Sequence, residues 1–168
     1  MKDVDDCLRF IDPHMRNPFI YGLRRSGKTT SLKYIETTLK EYYPEVVTIF
    51  INSIDSLTIE VLKRAANVLG DDAIKKLSLS ATLLGFLNVK VNSKYQGLDK
   101  YTFQSDMEQI LLEYKRRGLQ LVVLIDEVQH ITPDTREYFG AYKTFSTNSL
   151  PIMTIAAGLT PDLNSAIK

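Results

Sequence analysis

The chain has 168 residues, 44% of them hydrophobic and 24% charged, with a formal net charge of +1. That is enough for one domain with a real core, and the near-neutral balance gives no general argument for nucleic acid or a membrane surface. The single Cys7 excludes an intramolecular disulfide and a cysteine-based zinc site. It fits a reducing, cytoplasmic setting. No apolar run approaches the roughly 18–20 residues of a membrane span, and the acidic start Met1-Lys2-Asp3-Val4-Asp5-Asp6 lacks the apolar stretch of a signal peptide.

Residues 1–17 form a lead-in whose amphipathic piece, Cys7 to Ile11, is either a helical fragment or a frayed terminus. Phe19 to Tyr21 is a short apolar strand. Gly22-Leu23-Arg24-Arg25-Ser26-Gly27-Lys28-Thr29-Thr30 follows it and opens a helix, which is the G-x-x-x-x-G-K-[ST] phosphate loop in its strand–loop–helix setting. Gly22 and Gly27 let the backbone curl until successive N–H groups point at one anion. The helix beginning near Lys28 aims its positive end at the same place. Lys28 has the reach for β- and γ-phosphates, and the Thr29 hydroxyl suits Mg²⁺. Arg24 and Arg25 admit two readings: basic because phosphate is near, or simply solvated.

Lys28 to Tyr43 is helical, with Leu32, Ile35, Leu39 and Tyr42 on one buried face, and Pro44 stops it. Val46 to Ile51 is a β-branched, buried parallel strand. Leu57 to Leu69 is a helix that turns Ile59, Leu62, Ala66 and Leu69 inward and stops at Gly70. Residues 71–98 look like an insertion on the domain edge: a helical turn or two from Asp71, then the alternation Leu87/Val89/Val91, which fits a half-exposed strand or hairpin. Asp99 to Arg117 is amphipathic, with Phe103, Met107, Ile110, Leu111 and Tyr114 on the core face. Lys115, Arg116 and Arg117 suit its dipole end.

Leu119 to Ile125 is a buried strand that emerges into Asp126-Glu127. Ligands of open α/β sheets bind outside the carboxyl ends of strands. Asp126 would hold Mg²⁺ and Glu127 would polarise an attacking water, with strand alternation sending the two side chains in different directions. Thr132 and Pro133 begin another helix with cap and first residue. Asp134 and Glu137 add charge to its first turns, and Tyr138, Ala141, Tyr142 and Phe145 continue its apolar face. Pro151 to Gly158 is a fourth strand ending in small residues, and Thr160-Pro161-Asp162 opens a last helix.

Gly22–Thr30, Asp126-Glu127-Val128-Gln129 within Leu121–His130, and Ala157-Gly158-Leu159 resemble the motifs of AAA+ and related signal-transduction ATPases. The likeness is to the branch similar to origin-recognition and mobile-element ATPases, and it covers residues 18–165. It implies an α/β, P-loop three-layer sandwich with a mostly parallel sheet. The family's strand order is 5-1-4-3-2. Because the chain stops before the fifth strand and the helical lid, the expected sheet is 1-4-3-2 with Phe19–Tyr21 on an open edge. On this reading residues 1–168 are a single P-loop ATPase domain, truncated at its C-terminus. The family's polar sensor place is taken by Ala156-Ala157-Gly158, with Thr154 and Thr160 the nearest hydroxyls.

The implied function is ATP binding and Mg²⁺-dependent hydrolysis that drives or times a conformational change in a larger assembly. The implied partners are ATP, another protein or a second copy, and DNA reached through further domains, with no membrane. The site would be catalytic Glu127 and Lys28, the loop Gly22, Leu23, Arg24, Arg25, Ser26, Gly27, Lys28, Thr29 and Thr30 for the nucleotide, and Thr29 with Asp126 for the metal. Arg24, Arg25 and Arg136 are candidate charge donors. The alternatives are a catalytically silent nucleotide-binding interaction module and a small-molecule P-loop kinase. A kinase has no need of a water-polarising Glu127.

Overall fold

The computed structural model describes residues 19–23, 25–52, 57–77, 79, 85, 103–128 and 132–159. Among them the strands are β1 (Phe19–Tyr21), β2 (Val46–Ile51), β3 (Gln120–Ile125) and β4 (Ile152–Gly158). The helices are α1 (Lys28–Tyr42), α2 (Leu57–Leu69), α3 (Asp71–Ile74), α4 (Phe103–Arg116) and α5 (Pro133–Thr147). Every strand pair is parallel and the order is β1-β4-β3-β2, the sheet expected of this fold class. The lead-in 1–17, Arg24, the Leu87/Val89/Val91 alternation, Gln129, His130, Thr160 and the last helix lie outside the described residues.

Parallel strands joined by helices are covered on both faces, and strand parity decides which residue meets which layer. On β3, Val122 and Leu124 pack with Leu32, Ile35 and Leu39 of α1. Leu121, Val123 and Ile125 pack on the other face with α2, α4 and α5. β4 repeats the division: Met153, Ile155 and Ala157 go toward α1, while Ile152 and Ala156 go to the larger core. Ile74 and Leu79, at the start of the 71–98 stretch, are buried in that larger core. At its centre Phe103 lies 5.6 Å from Tyr138 and 6.1 Å from Phe145, ring centre to ring centre.

Two helix faces differ from their sequence periodicity. Tyr42 is 67% exposed, although Leu32, Ile35 and Leu39 bury as expected. It is the last residue of α1, and the next residue leaves helical geometry at φ −131°, ψ 79°. Tyr43 takes the inward place and packs on the α1-side core. On α2 the buried set is Leu57, Thr58, Val61, Leu62, Ala65, Ala66 and Leu69, with Ile59 only half-buried. The stripe is broad because both α4 and α5 pack against this helix.

α5 starts as Thr132-Pro133 implies. The Thr135 N–H donates to Thr132 Oγ1 at 3.2 Å, and the Thr132 N–H donates back to Thr135 Oγ1 at 3.4 Å, a reciprocal cap with threonine in the usual glutamate place. Asp134 does more than favour its own helix dipole. Its carboxylate accepts the Thr58 N–H at 3.1 Å and the Thr58 hydroxyl, so one anion serves the first turns of both α5 and α2. The basic triplet at the end of α4 is tied down. Arg116 and Arg117 both donate to Glu113, at 2.6 and 2.7 Å, and these bonds hold the Glu113 carboxyl down at about 2. Arg117 also donates to the Leu69 carbonyl, and Lys115 to that of Ser149.

Asp134→Ala would leave the buried Thr58 N–H without its acceptor. The expected loss is about 1–3 kcal/mol, read by urea denaturation, with Arg136→Ala on the exposed side of the same helix within about 0.5 kcal/mol of the parent. Equal stability of the two variants would show that the carboxylate does not hold the helix starts together.

Candidate functional site

The loop after β1 is built from two left-handed residues on either side of Ser26: Arg25 at φ 62° and Gly27 at φ 87°. Gly27 is the N-cap of α1, which has neither a side-chain cap bond nor an acidic residue in its first turn. Its orphan N–H groups and positive dipole end are therefore available to an anion. Gly22 is needed for a different reason, since a Cβ there would lie 2.8 Å from Ser26 Oγ. Lys28 closes the curl, its ammonium donating to the Gly22 carbonyl at 3.0 Å and the Leu23 carbonyl at 2.7 Å.

Asp126 arrives from a segment 97 residues away. Its side chain falls on the α1 face of the sheet, following Val122 and Leu124, and Thr29 Oγ1 donates to its Oδ2 at 2.5 Å. Oδ1 accepts the Glu127 N–H at 3.0 Å. Asp126 as a residue is 5% exposed, so these two bonds hold its carboxylate in a poorly solvated place. The backbone around it stays stitched to both neighbouring strands, with the Asp126 N–H on the Ile51 carbonyl and the Val128 N–H on the Ala157 carbonyl, both 2.9 Å. Glu127 lies between these anchors at φ 55°. An extended continuation would carry its side chain to the larger core with Ile125; the left-handed turn leaves it exposed at the carboxyl end of the sheet.

Arg25, Ser26, Gly27, Lys28, Thr29, Thr30 and Glu127 line one cavity of about 830 Å³, within the range of small-molecule sites. The structure thus brings the loop and the acidic strand end together. Gly22 and Leu23 contribute carbonyls to Lys28, and Leu23 is 81% exposed. Of the two hydroxyls nearest the sensor place, Thr154 is buried in the core and bonded to the Tyr138 hydroxyl at 2.7 Å, so it does not face this cavity. Burial pushes the Tyr138 phenol up, so it remains protonated and shares this bond as a neutral group. Arg136 is exposed on α5.

A family model described as an ATPase domain predominantly from Archaea matches residues 4–142. The chain belongs to this ATPase family. A protein of Methanocaldococcus jannaschii, described as an uncharacterized ATP-binding protein, is 26% identical over 148 residues, covering 76% of this chain and 41% of that protein. Among solved structures, Cdc6p from Pyrobaculum aerophilum superposes with a TM-score of 0.60 at 12% identity, covering 99% of this chain and 39% of that one. The ORC1 protein of Aeropyrum pernix, solved with DNA, gives 0.54 at 13% identity, covering 98% and 40%. A Walker-type ATPase of Pyrococcus abyssi gives 0.50 at 17%, covering 94% and 43%. At such identities these structures establish the fold alone, an α/β fold that this chain shares with them. The chain spans about two fifths of the length of the relatives it matches.

The loop and both acids stand on the elements expected of them, at one cavity, but two features were not anticipated. One is that Asp134 reaches Thr58, because a contact across 76 residues leaves no local pattern. The other is the left-handed backbone at Arg25 and Glu127, since neither residue type favours positive φ. A double-mutant cycle tests the tie between the two motifs. Thr29→Val and Asp126→Asn should couple by about 1–3 kcal/mol in urea denaturation of the ligand-free chain. Additive effects would mean that the hydroxyl and carboxylate do not interact in solution.

Proposed function

We propose that this domain binds ATP with Mg²⁺ and hydrolyses it, and that turnover times a conformational change in a larger assembly. The observation that carries this reading is the Thr29–Asp126 bond, which joins the phosphate loop to the acidic strand end beside one cavity. The loop amides and the first turn of α1 would receive the phosphates, with Lys28 leaving its two carbonyls for them. The donors fit a hard cation: a hydroxyl and a carboxylate oxygen converge at 2.5 Å. No group of three or more His, Cys, Asp and Glu gathers among the described residues, and Mg²⁺ held mainly by phosphates and water needs only one or two protein oxygens. Bound there, the ion would neutralise charge on the terminal phosphates. Glu127, which lines the same cavity, would orient and polarise the water.

A second reading keeps the nucleotide but not the turnover. It is favoured by the end of β4, where Ala156-Ala157-Gly158 stands and the Thr154 hydroxyl is engaged with Tyr138. Nucleotide binding then acts as a silent interaction device. DNA enters as a partner to be tested because one structural relative was solved with it. No described helix is long and apolar enough to cross a membrane.

Lys28→Ala should weaken ATP binding at least tenfold for each charge-assisted bond lost, about 1.5–3 kcal/mol apiece. Glu127→Gln should hold ATP with near-parental affinity while phosphate release falls by about 10²–10⁴. Fluorescent-nucleotide titration and a phosphate-release assay, each with and without DNA, measure both. Unchanged affinity in the Lys28 variant sinks the site; bound ATP with no release in the parent, DNA present or absent, selects the silent module.

A further inference from the structure

We infer that Arg25 is a built-in charge donor to the transferring phosphoryl group, placed in cis by a left-handed backbone within the phosphate loop. This deepens the ATPase reading above and rests on it. Among the described residues, two cationic side chains line the cavity, Arg25 and Lys28. The Lys28 ammonium is directed into the loop by the Gly22 and Leu23 carbonyls. Among the described residues lining the cavity, Arg25 is therefore the cation with no hydrogen bond or ion pair. It is exposed, and its guanidinium is free to close on an anion.

The backbone supplies a second, independent observation. Arg25 and Glu127 are both non-glycine residues at positive φ, 62° and 55°, and both line this cavity. Such conformations persist only where the surroundings enforce them, and they concentrate where a side chain must be aimed. Here the Ser26 N–H on the Leu23 carbonyl and the Lys28 bridge enforce the turn at Arg25. The anchors on Ile51 and Ala157 enforce the one at Glu127. The outcome is one acid and one free guanidinium on the walls of the same space. In hydrolysis, water forms the new P–O bond as the bond to the β-phosphate oxygen breaks, and one proton passes toward Glu127. Charge shifts onto the leaving oxygen and the equatorial oxygens, where an arginine fork stabilises it. Arg25 provides that cation from within the chain.

The test compares ADP binding with and without aluminium fluoride, in Mg²⁺, for the full chain and three variants. In the parent, aluminium fluoride should tighten ADP binding by about a hundredfold or more, as transition-state mimics do. Arg25→Ala should lose at least tenfold of that gain, read as the ratio of the two ADP affinities measured on the same variant. Arg25→Lys should recover only part of it, because an ammonium lacks the fork. Arg25→Gly controls for the backbone: glycine adopts this φ freely, so its urea midpoint should equal or exceed the parent's while the gain is lost as in Arg25→Ala. Arg25 is not the donor if Arg25→Ala keeps the gain, or if ADP alone weakens in the same proportion. Parental ADP binding with no gain from aluminium fluoride also refutes this role and leaves nucleotide binding standing. No ADP binding by the parent refutes the site itself.

Discussion

The Thr29–Asp126 hydrogen bond is the contact on which the rest of the site depends, and it is set by parity along β3. Side chains alternate faces, so Asp126 shares the α1 face with Val122 and Leu124. A slip of one residue would drive the carboxylate into the aromatic core around Phe103 and Tyr138, where an unpaired charge costs several kcal/mol. Burial on both faces prevents that slip. Ile125 is held in register between Ile51 of β2 and Ala156 of β4, and each is buried. The geometry of the polar site is thus enforced by the apolar strand residues that lead up to it.

The site also holds backbone in unfavourable places. Arg25 and Glu127 each stand at positive φ without being glycine, at a cost of about 1 kcal/mol or more apiece. Ser149 shares this conformation in the turn between α5 and β4, far from the cavity in the chain's topology, so left-handed backbone is not by itself a mark of function. What separates the first two is that both line one cavity. The stability to sustain them comes from the two cores, where side chains such as Leu32, Ile35, Phe103 and Phe145 are fully buried and contribute about 1.5–3 kcal/mol each.

Much of this was legible in the sequence because parallel strands buried on both faces must be continuous apolar runs. Val46–Ile51, Leu121–Ile125 and Ile152–Gly158 are of that kind, and the acids could stand only where such a run ends. The phosphate loop was legible because Gly22 and Gly27 answer separate steric demands, a close approach to Ser26 and a left-handed N-cap. What escaped was tertiary. Tyr42 has the right helical spacing, but the helix ends under it and Tyr43 fills the core instead. The width of the α2 stripe depends on two covering helices that its own period cannot reveal. The charge of Asp134 suited its own helix, which hid that its carboxylate also accepts from Thr58.

The lysine contacts bear on how such a loop stays ready for a ligand. With its ammonium on the Gly22 and Leu23 carbonyls, Lys28 holds the curl in shape, and the curl in turn keeps Ser26 and Gly27 at the cavity. Neutral carbonyls are weaker acceptors than phosphate oxygens, whose bonds to an ammonium are charge-assisted and roughly twice as strong. Exchange of one for the other therefore favours the anion, and the loop needs little reordering to receive it, which keeps the entropic cost of binding low. The contacts that engage Lys28, while Arg25 has no partner among the described residues, thus keep the amide cradle formed: lysine serves the scaffold first and would serve the ligand second.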